Sequence, residues 1–274
     1  MNWRSIWAIS RKDLMEVRQN KAAWGPAIAL PLMFAIVMPL FLSLVPRFIP
    51  IEDLQRELGD IDVLLKNLPP AVGAIFSGLK IEQMFVLYMT AFMLAPMFLI
   101  MPLMFSSVVG ADSFVGERER KTLEALLYSP ATDMELFLGK VLAAVIPAIS
   151  LSWLTYLVYI IVVNVASFSL FERIWFPLPT WWPMMFWLTP AFALLGVSAT
   201  VLISSRVKTF MEAYQLTGSL VVLVLALVVG QATGVLYLGI GTVMLVGTLI
   251  WVVDAVLIRI SILSFKRSML IAKL

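Results

Sequence analysis

The residue types that most often carry out chemistry are scarce in this chain. Its 274 residues include no histidine and no cysteine, which excludes the commonest general base, thiolate nucleophiles and the usual zinc ligands. No phosphate-binding loop is present either, because Gly139 and Lys140 are followed by Val141 where Ser or Thr is needed. We therefore expect no catalytic residue, metal site or cofactor in this chain, so energy for any work must come from another chain or an ion gradient.

One short segment, residues 117–127, combines closely spaced charges of both signs with leucines. In a helix, Glu117 would lie one turn from Lys121, and Arg120 one turn from Glu124, both in the favourable order of charges. The same helix would carry a short apolar stripe formed by Leu123, Leu126 and Leu127. Such a stripe needs a partner, which can be the lipid surface, the rest of the protein or another protein.

The composition indicates what surrounds this segment. Hydrophobic residues make up 61% of the chain, charged residues 14%, and the mean hydropathy is +0.97, whereas soluble domains contain about 45–50% apolar and about 25% charged residues. A helix needs about 20 apolar residues to cross the hydrocarbon layer. Six segments meet this requirement: 24–44, 84–109, 141–166, 184–204, 214–233 and 235–258. We therefore expect an all-α membrane protein with six transmembrane helices in the lipid bilayer, and exclude a soluble enzyme and a nucleic-acid-binding domain.

The distribution of Lys and Arg predicts how these spans are oriented. Fifteen of the 20 Lys and Arg residues fall in residues 1–23, in the loops after the second and fourth spans, and in the tail 259–274. Short loops rich in Lys and Arg stay in the cytoplasm. We therefore predict a six-span domain over 24–258 in the inner (plasma) membrane, with both termini and the loop 110–139 cytoplasmic and the loop 46–83 extracellular.

Residues 3–21 have the pattern of an amphipathic helix. One face is formed by Trp3, Trp7, Ser10, Leu14 and Val17. A basic stripe beside it consists of Arg4, Arg11 and Arg18. Trp and Leu beside Arg is typical of a helix that lies in the headgroup plane. Two interpretations remain open: a simple anchor for the first span, or an interfacial helix that also touches a cytoplasmic partner.

Two polar residues inside the predicted spans are further candidates for function. Asp254 is expected about one turn from the inner end of the sixth span, reaching the inner interface or a neighbouring helix. Asn164, near the outer end of the third span, is expected to form a hydrogen bond between helices. A gradient-driven carrier that uses Asp254 is an alternative function, because such carriers place ionisable groups within the membrane.

The segment from Gly116 to Pro130, followed by Leu138-Gly-Lys140, resembles the signature of ABC type 2 exporter permeases. The resemblance covers nearly the whole chain in layout and departs at Lys121, where members of the family usually have glycine. It implies a permease subunit that pairs with a second copy, as a homodimer or a heterodimer. Each copy would dock a cytoplasmic ABC ATPase subunit that holds ATP and Mg, and ATP binding would rock the permeases so that a substrate moves outward.

The resemblance also implies roles for individual residues in a cytoplasmic coupling helix between spans two and three. Contacts with the ATPase subunit would come from Glu117, Glu119, Arg120, Lys121, Thr122 and Glu124. The helix would be packed down by Leu123, Leu126 and Leu127, and the N-terminal interfacial helix would lie against the same subunit. A membrane scaffold or assembly factor that recruits a soluble partner would share these features, so it remains a second alternative.

Overall fold

The computed structural model describes residues 2–19, 21–50, 70–120, 122 and 130–264. Helices make up 83% of the structure, and the described residues contain no strand. An N-terminal helix, Trp3–Gln19, precedes six helices that are long and apolar enough to cross a membrane. We number these spans 1 to 6: Ile28–Arg47, Ile81–Glu119, Asp133–Phe171, Trp181–Ser204, Phe210–Ala232 and Ile240–Ile262. The predicted all-α fold with six transmembrane helices is confirmed.

Spans 1, 2 and 4 each contain a wider, π-helical turn shortly before a proline. These turns are Met33–Val37 before Pro39, Tyr88–Met93 before Pro96, and Met184–Leu188 before Pro190. Proline has no N–H, so the carbonyl four residues earlier loses its usual partner, and a π turn redistributes the neighbouring bonds. A further π turn is Asp112–Gly116, and a 3₁₀ turn is Val45–Arg47. The α-helical pieces after the N-terminal helix are Lys21–Leu32, Met38–Leu44, Pro70–Phe76, Ile81–Leu87, Leu94–Met97, Ile100–Ala111, Glu117–Glu119, Asp133–Phe171, Trp181–Pro183, Thr189–Ser204, Phe210–Gly218, Val221–Ala232 and Ile240–Ser264.

Spans 2 and 4 form the centre of the bundle. In their most apolar windows 67% and 61% of the residues are buried, against 17–28% in the other four spans. The two spans cross at Gly196, where a β-carbon would lie 2.2 Å from Ser106 Oγ and 2.6 Å from the carbonyl oxygen of Leu103. Small residues at such a crossing let two backbones approach closely. The outer spans therefore pack around a tight central pair.

Two helices extend well beyond their predicted apolar segments. Span 2 is predicted to end at 109 but continues to Glu119, and span 3 begins at Asp133 rather than at 141. The Thr132 hydroxyl accepts a hydrogen bond of 3.3 Å from the N–H of Glu135, and the Glu135 carboxylate accepts one of 3.0 Å from the N–H of Thr132, a capping box that starts the helix. Much of the 46–83 loop, most of the predicted coupling helix and the end of the tail lie outside the described residues.

Asn164 holds the loop that follows its own helix. Its Oδ1 accepts hydrogen bonds from the N–H groups of Trp175 at 3.1 Å and Phe176 at 3.2 Å. Its Nδ2 donates to the carbonyl oxygen of Phe176 at 2.8 Å. The bond between helices expected from the sequence is therefore replaced by bonds to the loop backbone, because the chain reverses at Glu172, which has a left-handed φ of 54°, and returns past Asn164.

Candidate functional site

The N-terminal helix packs on the beginning of span 3 through one face. The buried positions on this face are spaced four and three residues apart, at Ile6, Ser10, Asp13 and Val17. Gly139 of span 3 lets the two helices meet, because a β-carbon there would lie 2.8 Å from Cβ of Ile9 and 3.1 Å from the carbonyl oxygen of Ile6. This close approach places the Asp13 side chain beside that of Lys140.

Lys140 is the centre of a group of polar side chains from three elements. Its side chain is 1% exposed, and its ammonium lies 2.6 Å from Glu117 Oε2 and 3.3 Å from Asp13 Oδ2. It also donates to the carbonyl oxygen of Ser113 at 2.8 Å and to the Ser113 hydroxyl at 3.1 Å, and that hydroxyl donates to Asp13. Removing one partner of a buried ion pair costs about 3–5 kcal/mol. We call Asp13, Ser113, Glu117 and Lys140 the Lys140 cluster; it joins the N-terminal helix, the end of span 2 and the start of span 3.

Lys12 supplies a second positive charge at the edge of this cluster. Its ammonium contacts Glu117 and lies 3.0 Å from Glu16 Oε1 and 3.3 Å from Asp13 Oδ1. Burial disfavours the ammonium form, but the hydrogen bond with Glu117 and the nearby carboxylates outweigh burial and raise the pKa of Lys12. Oxygens of Asp13, Glu16 and Glu117 lie within 4.8 Å of one another, so Lys12 neutralises the negative charge that they concentrate.

The two residues after Glu117 bind the ends of spans 4 and 5. Arg118 donates from Nη2 to the carbonyl oxygen of Ser204, at 2.9 Å, and to that of Val207, where the unpaired carbonyls at the end of span 4 favour a cation. Glu119 Oε2 accepts a hydrogen bond of 2.8 Å from the N–H of Phe210, where the first N–H groups of span 5 favour an anion. The alternating charges of the motif therefore match the opposite ends of two helices.

Arg120 turns back onto its own helix and onto the N-terminal helix. Its Nη1 donates to Asp112 Oδ1 at 2.8 Å, and its Nη2 lies 4.0 Å from Glu16 Oε2. The hydrogen bond with Asp112 raises the pKa of Arg120, although partial burial opposes this. The Arg120 side chain is 44% exposed and borders a groove between span 2 and span 5. The groove is lined by Asp112, Gly116, Glu119, Arg120, Thr209, Phe210 and Met211.

The structure separates the residues predicted to contact an ATPase subunit. Glu117 is fully buried, whereas Glu119, Arg120 and Thr122 are exposed. The N–H of Thr122 donates to the carbonyl oxygen of Glu117 at 2.9 Å, so the chain turns directly after the helix ends. The remaining predicted contacts lie outside the described residues; they are Lys121, Leu123, Glu124, Leu126 and Leu127. The side chain of Glu117 therefore acts inside the protein, and the exposed three lie within reach of a partner.

The N-terminal helix exposes part of the face that the sequence assigns to the apolar side. Trp3 and Trp7 are 66% and 59% exposed, and Arg11 is exposed as well. Leu14 is partly buried, and the side chain of Arg18 lies outside the described part of the chain. Ser10 and Val17, assigned to the same face, are buried. The packed face is therefore shifted toward Ile6 and Asp13, which brings Asp13 to Lys140 and leaves Trp3 and Trp7 at its exposed edge.

Sequence analysis assigns no role to several residues of this site, among them Asp13, Ser113 and Arg118, and it includes Lys140 only as part of the signature of the resemblance. One signal for Asp13 was available. It continues the four-three-four spacing of Ile6, Ser10 and Val17, so an acid sits on a face of small and apolar side chains. An acid on such a face indicates a buried partner, because a buried charge without one is strongly unfavourable.

Asp254 lies on the packed stripe of span 6. This stripe is formed by Val243, Gly247, Asp254 and Ser261. A β-carbon at Gly247 would lie 2.5 Å from the ring of Trp187, so the stripe faces span 4, which contains no charged residue. Asp254 is fully buried, and neither carboxylate oxygen has a hydrogen-bond partner among the described residues. The helix continues to Ser264, so Asp254 lies farther from the C-terminal end of its helix than the single turn expected from the sequence.

The sequence matches the model of a known protein family. The model of a family described as ABC-2 family transporter protein matches residues 7–269. The matched range includes all six spans, the Lys140 cluster and the exposed residues after it. No curated protein matches the chain.

Proposed function

Because the chain belongs to the ABC-2 family of transporter proteins, and is therefore a membrane-spanning transport subunit of an ABC transporter, we propose that it works with a separate cytoplasmic ATPase subunit in ATP-driven export. The ATPase would hold ATP and Mg, since this chain carries no phosphate-binding motif. Both termini and the Glu117–Thr122 segment would face the cytoplasm.

The arrangement of residues 117–120 carries this proposal. At one end Glu117 is buried in the Lys140 cluster, and at the other Glu119 and Arg120 are exposed. Arg118 and Glu119 bind the ends of spans 4 and 5. A partner that moves this segment would therefore act directly on the ends of spans 2 to 5 and on the N-terminal helix.

A second permease copy belongs to the same proposal. Spans 1, 3, 5 and 6 bury only 17–28% of their most apolar windows, so they present wide apolar surfaces within the membrane. Lipid covers part of such a surface. We propose that a second copy, identical or related, covers the rest, and that the substrate crosses between the two copies.

The docking proposal is tested with the permease and the ATPase subunit purified together and reconstituted in liposomes. Replacing Glu119 and Thr122 by Ala removes exposed side chains and is expected to lower the recovery of the complex by about tenfold, or about 1.4 kcal/mol in affinity. Arg206→Ala, which removes an exposed charge at the end of span 4, is the control and should leave recovery unchanged. Equal recovery of all three complexes, or no ATPase bound to wild type, would contradict the proposal.

A gradient-driven carrier is the second candidate, favoured by the buried carboxyl group of Asp254. Such a carrier would move its substrate without nucleotide hydrolysis and would stop in Asp254→Asn. The ATP-driven transporter should show the opposite behaviour in the same liposomes, with flux that survives Asp254→Asn and stops with a non-hydrolysable nucleotide. One pair of flux measurements therefore decides between the two.

A further inference from the structure

We propose that the N-terminal helix and the beginning of span 3 form one rigid unit that moves together with the end of span 2, and that Lys140 is the positioning residue that holds the three together. This inference deepens the proposed function, because it states which parts an ATPase subunit would move. Whether the three elements form a rigid unit can be tested on the permease alone.

The contact between the N-terminal helix and span 3 extends over several turns. At its start, the N–H of Asn2 donates to Glu135 Oε1. In the middle, Ile9 lies directly against Gly139, which has no side chain to hold the two helices apart. Farther along, Asp13 reaches Lys140. Three kinds of contact therefore oppose rotation and separation of the helix: a hydrogen bond at the capping box, close backbone packing and a buried ion pair.

The Lys140 ammonium makes this contact dependent on span 2 as well. It is shared by Asp13 of the N-terminal helix and Glu117 of span 2, and all three side chains are at most 1% exposed. Moving span 3 away would take the shared cation from both buried carboxylates, and moving either of the other two elements would take one carboxylate from the buried ammonium. A buried charge without a partner is far more costly than the loss of an exposed ion pair. The three elements are therefore expected to stay together while the rest of the bundle rearranges.

An exposed side of the N-terminal helix, next to its packed face, shows what such a unit would carry. Trp3, Trp7 and Arg11 are exposed there, and Trp with Arg is the composition of a surface that lies among lipid headgroups. A movement of spans 2 and 3 would then displace this face along the membrane surface. The helix is thus a moving part of the transporter rather than a fixed anchor.

Hydrogen exchange of the purified permease in lipid nanodiscs tests the role of Lys140. In wild type the amides of the N-terminal helix should be protected like those at the start of span 3, and in Lys140→Met they should exchange about tenfold faster or more, as expected of local opening. Lys208→Met, which changes an exposed lysine outside the cluster, is the matched control and should leave protection unchanged. If Lys140→Met does not fold, Asp13→Asn, which keeps the shape and removes one charge, replaces it.

Two exchange results would overturn the proposal. One is a wild-type N-terminal helix that exchanges as rapidly as a peptide. The other is protection that is the same in wild type and in the folded variant of Lys140 or Asp13. Neither measurement requires an ATPase. The experiment therefore decides whether the rigid unit exists even if the protein proves not to work with an ATP-driven partner.

A cross-link tests whether the unit stays together during transport. The chain has no cysteine, so in the double variant Ile9→Cys with Gly139→Cys only the intended disulfide can form within one chain, after a small relaxation of the contact to normal disulfide geometry, and non-reducing electrophoresis separates it from disulfides between copies. Transport by the oxidised variant should equal that of the reduced variant within about twofold, because two parts of one rigid body can be joined without effect. Transport that stops on oxidation and returns on reduction would show that the helix must leave span 3. Absence of ATP-dependent transport in wild type would instead contradict the proposed function and leave the exchange result standing.

Discussion

Two glutamates of one motif have opposite environments. Glu117 lies between the ammonium groups of Lys140 and Lys12 and is fully buried, whereas Glu119 is exposed and accepts a hydrogen bond from the first N–H of span 5. They are two residues apart in a helix, so they point in different directions. The residue types of the motif therefore do not reveal which acid stabilises the protein and which one a partner can touch.

This difference predicts unequal effects of the same substitution. Glu117→Ala leaves Lys140 without its closest partner and should lower the free energy of unfolding by about 3–5 kcal/mol. Glu119→Ala removes one hydrogen bond at a helix N-terminus and should lower it by at most about 1 kcal/mol. Thermal unfolding of the two purified variants in the same detergent measures the difference. Equal midpoints would show that the Lys140 cluster does not stabilise the fold.

The charge of Lys12 predicts how stability depends on pH. Its pKa is raised in the folded protein by Glu117 and the other carboxylates, against the opposing effect of burial, so the folded state binds the proton more tightly than the unfolded chain. Its contribution is complete below the unfolded value of about 10.5 and decreases as pH rises from there through the folded value. The unfolding midpoints of wild type and Lys12→Met should therefore differ at pH 7 and converge in strongly alkaline solution. A difference that grows with pH would contradict this sign.

The buried position of Asp254 predicts that the fold tolerates replacement of its carboxyl group by an apolar side chain. Its carboxyl group is buried in a membrane-spanning helix without a hydrogen-bond partner among the described residues, and an Asp at the centre of such a helix is unfavourable by about 2.5–3.5 kcal/mol. Asp254→Leu, which removes this penalty, should leave the unfolding midpoint unchanged or raise it. Ala255→Leu, at an exposed position of the same helix, controls for the added apolar surface. A large loss of stability in Asp254→Leu alone would show that the carboxyl group has a stabilising partner.

At the scale of whole elements, the sequence predicts the spans better than their ends and faces. The apolar runs locate all six spans, because lipid requires long apolar helices. The end of span 2 at Glu119 and the start of span 3 at Asp133 depend on hydrogen bonds rather than on hydropathy. The buried face of the N-terminal helix depends on Asp13 meeting Lys140; the spacing within the helix indicates a buried partner for Asp13, but it does not say that this partner is Lys140, which lies far away in the sequence.

The tight crossing of spans 2 and 4 predicts that Gly196 is the glycine whose replacement destabilises the protein most. A β-carbon at Gly196 would lie 2.2 Å from Ser106 Oγ and 2.6 Å from a backbone oxygen of span 2, so Gly196→Ala must push the two central helices apart. The yield of monodisperse protein and its unfolding midpoint should both fall. Gly241→Ala is the matched control in span 6, because a β-carbon there meets nothing within 4 Å, and it should raise helix stability by up to about 1 kcal/mol. Similar behaviour of the two variants would show that the crossing is not tight.

At the scale of the whole molecule, the cluster and the central pair of spans form one connected framework. Spans 2 and 4 are held together at Gly196, and the polar end of span 2 binds the ends of spans 3, 4 and 5 through the charges of residues 117–119. The contacts of residues 117–119 lie at one end of the bundle, and the crossing at Gly196 lies farther inside it. A force applied at that end therefore acts directly on spans 2 to 5.

This asymmetry makes the orientation of the molecule decisive for its function. An ATPase subunit in the cytoplasm can act on the bundle only if the end with the Lys140 cluster faces inward, as the distribution of Lys and Arg predicts. Because the chain has no cysteine, single cysteines can report each side with a membrane-impermeant thiol reagent. Lys208→Cys, exposed next to Val207, whose carbonyl oxygen binds Arg118, should react only after the cells are permeabilised, and Ile174→Cys, 78% exposed at the opposite end, should react in intact cells. The reverse pattern would place the motif outside the cell, out of reach of any ATP-driven partner.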